Sequence, residues 1–169
     1  MTANILFYII IAIIIINFII DKILEALNAK HYNDKLPQEI QDVYDETEYK
    51  KSQDYKATKY KFGIITSSFS LLLTLGFLLM DGFEFVDNLA RGFSTNSIII
   101  ALIFFGIIML ASDIITTPFS YYSTFVIEER FGFNKTTKKT FILDKLKGWL
   151  MMIVLGGGLL ALIIWFYQI

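Results

Sequence analysis

The stretch IIIALIFFGIIMLASDII, Ile98–Ile115, decides the fold, because it is almost wholly apolar over nearly the length that crosses a bilayer core, about 20 residues. Three comparable blocks occur at Ile5–Ile20, Phe62–Met80 and Trp149–Tyr167. A chain in lipid must be helical at such lengths, because hydrocarbon offers no partner to free backbone N–H and C=O groups. The sequence therefore predicts an all-α polytopic membrane protein with cytoplasmic helical extensions and four transmembrane helices, at about residues 3–20, 62–80, 98–117 and 149–167.

Composition supports this class and excludes others. Of the 169 residues, 55% are hydrophobic, whereas soluble domains contain about 45–50% apolar residues. The chain has no cysteine, which excludes disulfides and thiolate metal sites, and its net charge of −1 argues against nucleic acid as a partner. The first apolar block has no preceding Lys or Arg and no cleavage motif, so we expect a retained span rather than a signal peptide.

The basic residues predict the orientation of the spans. Every Lys and Arg except Arg91 lies in loop one, residues 21–61, or loop three, residues 121–148. Because Lys and Arg favour the cytoplasmic side, we expect loops one and three to be cytoplasmic and the N-terminus to lie outside. Loop one is predicted to contain a helix at about residues 36–61, with Pro37 near its start, that runs into the second span.

Two of the predicted spans carry a polar face. In the second span, small and hydroxylated residues at helical spacing indicate either a packing seam or a water-lined wall; they are Gly63, Thr66, Ser67, Ser70 and Thr74. In the third span, one face combines Gly106, Met109, Asp113, Thr116, Thr117 and Ser120. Asp113 is the one ionisable residue well inside an apolar block, where its charge would cost at least ~2.5–3.5 kcal/mol. It is therefore either a cavity group or a structural hydrogen-bonding partner of another span.

The segment after the third span is PFSYYSTFVIEERFGFNKTT. It contains aromatic, hydroxyl and acidic residues that a simple connection between two membrane helices would not need. Pro118 predicts a kink, because its ring clashes with the carbonyl one turn earlier. Glu128 and Glu129 are predicted at the cytoplasmic surface, either facing an entrance or paired with Arg130 or Lys135. Gly132 is predicted to end this helix, and Asn134 or Thr136 to cap the next one.

The same segment resembles the signature loop of the CAAX prenyl protease 1 family of integral-membrane zinc metalloproteases, whose pattern is roughly P-x-S-x-Y-x-T-F-x-I-E-E-x-x-G-F-N. The earlier segment YKKSQDYKATKYKFGIITSSF is similar to the family's Y-x-K-S-x-x-Y motif before its second span. The resemblance covers the chain from about Leu36 onward. It implies a helical barrel around a water-filled chamber, and zinc-dependent cleavage of prenylated or other membrane-associated peptides. We expect the location to be a bacterial inner (plasma) membrane.

The chain departs from the family at the metal site. Such a protease needs H-E-x-x-H on a helix, in which two His hold zinc and the Glu activates water. The single histidine, His31, has no Glu after it and is predicted to be an ordinary juxtamembrane residue. We therefore expect residues 1–169 to form the N-terminal transmembrane domain with the catalytic domain absent, to bind no zinc and to be inactive alone; zinc is implied only for the full-length family.

The predicted role is part of the chamber wall and cytoplasmic rim, with no catalytic or metal-binding residue. The candidate wall and rim residues are Asp113, Pro118, Ser120, Tyr122, Thr124, Glu128, Glu129 and Asn134. The expected partners are membrane lipid, a catalytic domain in the same or a separate chain, and a lipidated or membrane-associated peptide. The alternatives are a non-catalytic four-span accessory or scaffold subunit and a small ion-coupled transporter that uses Asp113.

Overall fold

The structure, a computed structural model, describes residues 2–32, 34–36 and 45–168. In this part of the chain the helices are α1 (Ala3–Ala29), α2 (Glu46–Leu79), α3 (Gly82–Phe93), α4 (Ser97–Tyr122), α5 (Lys138–Met151) and α6 (Gly158–Gln168). A π-helical segment, Ser123–Glu128, continues α4, and a second, Met152–Gly157, joins α5 to α6. Four of the resulting helical runs are long and apolar enough to cross a membrane, which confirms the predicted all-α membrane fold with four membrane-capable helices.

The helices around loop one differ in extent from the prediction. α1 continues to Ala29, well past the predicted end of the first span, and residues 34–36 are not helical. Residues 37–44, which include the predicted helix start at Pro37, lie outside the described residues. α2 begins at Glu46 and passes without a break into the second span. Before it, the Asp45 carboxylate accepts the Thr47 N–H at 2.6 Å, which lowers the pKa of Asp45.

α3 lies in the stretch between the second and third spans, for which no helix was predicted. Apolar residues recur there every three or four positions, and α3 packs against α4. Val86 and Ala90 on α3 are buried. The amphipathic pattern of this stretch was missed because the stretch is short and was treated as a loop between two long apolar blocks.

Burial inside the described part of the chain is sparse, as expected for helices whose solvent is lipid. The buried apolar side chains there are Val86, Ala90, Ile100 and Ile127. None of the apolar windows of the four membrane-capable helices is buried within the chain. Most large apolar side chains are therefore left to face lipid or further protein.

The described helices form two compact units. In one unit, which contains α1, α2 as far as Gly76 and the segment Phe125–Phe133, the Tyr32 and Tyr60 rings meet edge to face with centroids 6.2 Å apart. In the other unit, which contains Phe77–Thr124 and the chain from Asn134 onward, α4 packs against both α3 and α6.

The helix continues through Pro118 without a break. α4 extends to Tyr122, and the change from α to π geometry begins at Ser123. Near the proline, the Thr116 and Thr117 hydroxyls donate to the carbonyls of Ser112, at 2.8 Å, and Asp113, at 2.6 Å. These hydroxyls add hydrogen bonds to their own helix in the turn before the proline, as Ser and Thr side chains often do in helices.

Candidate functional site

Asp113 lies at the centre of a polar cluster between α4 and α5. Its Oδ1 accepts a hydrogen bond from Lys145 Nζ at 2.5 Å, and its Oδ2 accepts one from Trp149 Nε1 at 2.8 Å. Lys145 and Trp149 are four residues apart on α5, so both project from one face of that helix. We call Asp113, Lys145 and Trp149 the Asp113 cluster; both oxygens of its carboxylate are paired.

The Asp113 cluster lines a cavity of about 800 Å³. Threonine hydroxyls contribute further polar groups, and methionine and aromatic side chains form the apolar remainder; the lining includes Met109, Thr116, Thr124, Thr136, Phe141 and Met152. A cavity with this mixture can hold water or a polar segment of an amphipathic molecule at the level of the membrane helices. The sequence left open whether Asp113 is a cavity group or a hydrogen-bonding partner of another span. In the structure it both bonds to α5 and lines a cavity.

Glu128 has a different partner from the one predicted. Its Oε1 accepts a hydrogen bond from Lys59 Nζ at 3.3 Å, and that lysine lies on α2. The predicted pairing of Glu128 with Arg130 or Lys135 is therefore wrong. Residues close in sequence were preferred in that prediction, whereas the tertiary fold brings α2 to the π-helical segment.

The two motifs that resemble the protease family contact each other directly in the unit that contains α1. Tyr55, at the end of the Y-x-K-S-x-x-Y segment, packs edge to face on Phe131 and Phe133, with centroids 5.5 and 4.9 Å away. Lys51 Nζ lies 5.2 Å from the centre of the Phe133 ring, within cation–π distance. Tyr55 and Lys51 of the first motif thus contact the two phenylalanines that flank Gly132 in the second.

Gly132 ends the helix as predicted. Its φ is +71°, its N–H donates to the Glu129 carbonyl at 3.0 Å, and the Phe133 N–H donates to the Glu128 carbonyl at 2.9 Å. This pair of hydrogen bonds is the Schellman arrangement, which needs a left-handed residue and so favours glycine.

The predicted N-cap is wrong by one to three residues. Thr137 caps α5, because its hydroxyl accepts the Thr140 N–H at 3.1 Å. Asn134 instead orders the loop, with its Oδ1 accepting the Thr136 N–H at 2.7 Å. Asn and Thr are both good caps and good turn residues, so the sequence offered several equivalent positions.

Replacing Thr137 with alanine is expected to destabilise the start of α5 by about 1 kcal/mol, because the Thr140 N–H loses its acceptor. Amide hydrogen exchange in the first turn of α5 should accelerate, and Thr137→Ser should restore protection because it keeps the hydroxyl. Equal exchange rates in the alanine variant and the native chain would show that Thr137 is not the cap.

The other predicted site residues are dispersed. Ser120 and Tyr122 are exposed, Ser120 donates to the Thr116 carbonyl at 3.3 Å, and neither they nor Pro118 line the cavity. Glu129 is exposed, and its backbone carbonyl accepts the Gly132 N–H at the end of the helix. The sequence analysis did not identify Lys145 as the partner of Asp113 or Lys59 as the partner of Glu128. For Lys145, the available signal was its i,i+4 spacing from Trp149, which places both side chains on one helix face.

No metal-binding group of three or more His, Asp or Glu side chains occurs among the described residues. His31 lies just beyond α1, where its Nδ1 is 2.7 Å from Asp34 Oδ2 on an exposed surface. A zinc site needs at least three protein ligands, so the described donor set does not fit zinc.

Comparison with known proteins gives consistent matches. The family model for the CAAX prenyl protease N-terminal region, described as having five membrane helices, matches residues 25–169. The CAAX prenyl protease 1 of Saccharomyces cerevisiae is 33% identical over 76% of this chain, and the probable CAAX prenyl protease 1 of Schizosaccharomyces pombe is 37% identical over 73%. The crystal structure of S. mikatae Ste24p superposes with a TM-score of 0.85 at 32% identity over 92% of this chain.

These relatives are longer than the chain and come from eukaryotes. The chain spans 30% of each of the two yeast proteases and 38% of the S. mikatae structure. The eukaryotic relatives argue against the predicted bacterial membrane, which rested on the existence of bacterial family members, whereas the membrane-capable helices agree with an integral membrane protein. The extent of the family match shows that the chain belongs to the CAAX prenyl protease family, in its N-terminal membrane-helix region.

Proposed function

We propose that this chain forms part of the wall of an intramembrane chamber, and part of its cytoplasmic rim, in a zinc metalloendopeptidase that acts on prenylated or other membrane-associated peptides. The observation that carries the proposal is the cavity of about 800 Å³ lined by the Asp113 cluster, within helices apolar enough to span a membrane. A largely apolar cavity that contains a few polar and charged groups suits a protein that must keep water and a peptide backbone inside lipid.

The residues of the chain would shape and hydrate the chamber rather than perform chemistry. The charges of Asp113 and Lys145 offset each other in the wall, and Asp144 adds one further acid to the lining. The Glu128–Lys59 pair and the aromatic contacts of Tyr55 would hold in place the segment Phe125–Phe133, which we call the rim loop. Candidate wall residues are Asp113 and Thr124, and candidate rim residues are Glu128, Glu129 and Asn134.

Zinc would be supplied by a catalytic region in the same or another chain, since the described donor set here does not fit it. That region and a lipidated peptide substrate are the proposed partners, beside membrane lipid. The described geometry does not favour the transporter alternative, because both carboxylate oxygens of Asp113 are already engaged.

Water access to the cavity tests the wall assignment. Because the chain has no cysteine, single-cysteine variants report on one position each. Thr116→Cys, in the cavity lining, should react with a membrane-impermeant thiol reagent much faster than Ile114→Cys, which is on the same helix outside the lining. Equal, slow reaction at both positions would contradict a water-filled chamber.

Cleavage tests the protease assignment. The matched region of the Saccharomyces cerevisiae relative would be replaced by this chain, and the chimera reconstituted with a farnesylated peptide. We expect cleavage by the chimera and loss of cleavage when the N-terminal region is deleted. A deletion that cleaves as fast as the chimera would show that this region is no part of the chamber, and would favour the accessory or scaffold alternative.

A further inference from the structure

The short helix α3 has more apolar surface than it buries. Successive residues of an α-helix are separated by about 100°, which divides α3 into three arcs. Val86 and Ala90, 4% and 0% exposed, lie on the arc that packs against α4. Beside it, Phe85, Leu89 and Phe93 form a stripe at four-residue spacing and are 69%, 42% and 72% exposed. The remaining arc is polar, with Glu84, Asp87, Asn88 and Arg91.

The orientation of α3 about its axis is fixed by packing. The Phe83 ring meets Phe77 edge to face at 4.9 Å and stacks near Phe104 at 6.3 Å. A Cβ at Gly82 would overlap the Phe77 ring, so any residue larger than glycine would force that ring to shift. These contacts prevent α3 from rotating about its axis, so Phe85, Leu89 and Phe93 stay on its exposed side.

The connections of α3 keep it beside the membrane. Two residues, Met80 and Asp81, separate it from α2, and three, Ser94, Thr95 and Asn96, separate it from α4. Both neighbouring helices are long and apolar enough to span a membrane. Three extended residues reach only about 10 Å, so both ends of α3 stay within that distance of a membrane helix end.

We propose that α3 is an interfacial helix, which lies along the bilayer surface and inserts Phe85, Leu89 and Phe93 among the lipid headgroups. Aromatic and apolar side chains on one arc with charged residues on the opposite arc are the composition of helices that lie in the plane of the interface. The polar arc carries two acids against Arg91, which itself pairs with Asp87 at 2.7 Å, so an anionic lipid is not required. The occupant is a zwitterionic phospholipid surface.

Spin labels on the cysteine-free chain test this placement in phosphatidylcholine nanodiscs. Phe85→Cys, Leu89→Cys and Phe93→Cys report on the stripe, and Asn88→Cys on the polar arc is the matched control. We expect collisions with oxygen, which concentrates in lipid, to exceed collisions with a water-soluble nickel chelate at the three stripe positions. The order should invert at position 88.

Two outcomes would overturn the proposal. If nickel collisions exceed oxygen collisions at the stripe as they do at position 88, the stripe faces water. If labels on the stripe are shielded from both reagents, protein covers it instead, as a second copy of the chain would. Three stripe positions are labelled separately, so local disturbance by one label does not decide the result.

Discussion

Replacing Asp113 with leucine is expected to lower the free energy of unfolding by about 1–3 kcal/mol, because Lys145 in the half-buried Asp113 cluster would lose its carboxylate partner. The Trp149 indole N–H would also lose its acceptor. Thermal unfolding of the chain in detergent, followed by far-ultraviolet circular dichroism, measures the loss.

A second substitution separates the charge from the packing. Adding Lys145→Met to Asp113→Leu removes the remaining charge and keeps an unbranched side chain of similar length, so much of the lost stability should return. A double-mutant cycle then gives the coupling free energy of the pair. If the double variant were as unstable as the sum of the single variants, the ion pair would contribute nothing and Asp113 would act through its other contacts.

The spans were predictable because each depends on a local property of the chain. Apolar runs such as Ile98–Ile115 fix helical structure in lipid whatever the tertiary fold, because unpaired backbone groups have no alternative partner there. The end of the helix at Gly132 was also local, since a left-handed position strongly favours glycine. The structure confirms both.

Long-range pairing was not predictable from one sequence. The polar face of the third span identified Asp113 as a residue in need of a partner, but any of several residues on other helices could have supplied one. Lys145 had been counted only as a basic residue of loop three, and Lys59 only as one of loop one. Both pairs join residues far apart in the chain, so only the packing of helices selects them.

The largest effect expected in the rim loop comes from Ile127, which is 3% exposed within the π-helical segment. Ile127→Ala is expected to cost about 2–5 kcal/mol, because it removes buried methyl groups and leaves a void. Ile127→Val should cost only about 0.5–1.5 kcal/mol, since it removes one methylene. The free energy of unfolding of the three chains gives the comparison.

The neighbouring Val126 provides a control, because it lies in the same π-helical segment and is 43% exposed. Val126→Ala should change stability by less than about 0.5 kcal/mol, as expected for an exposed position. Large loss at position 127 with little at 126 would mean that burial of the isoleucine before the two glutamates orders the loop and holds Glu128 near Lys59. Equal losses of stability at both positions would instead mean that the helical conformation of the segment, and not burial of Ile127, orders the loop.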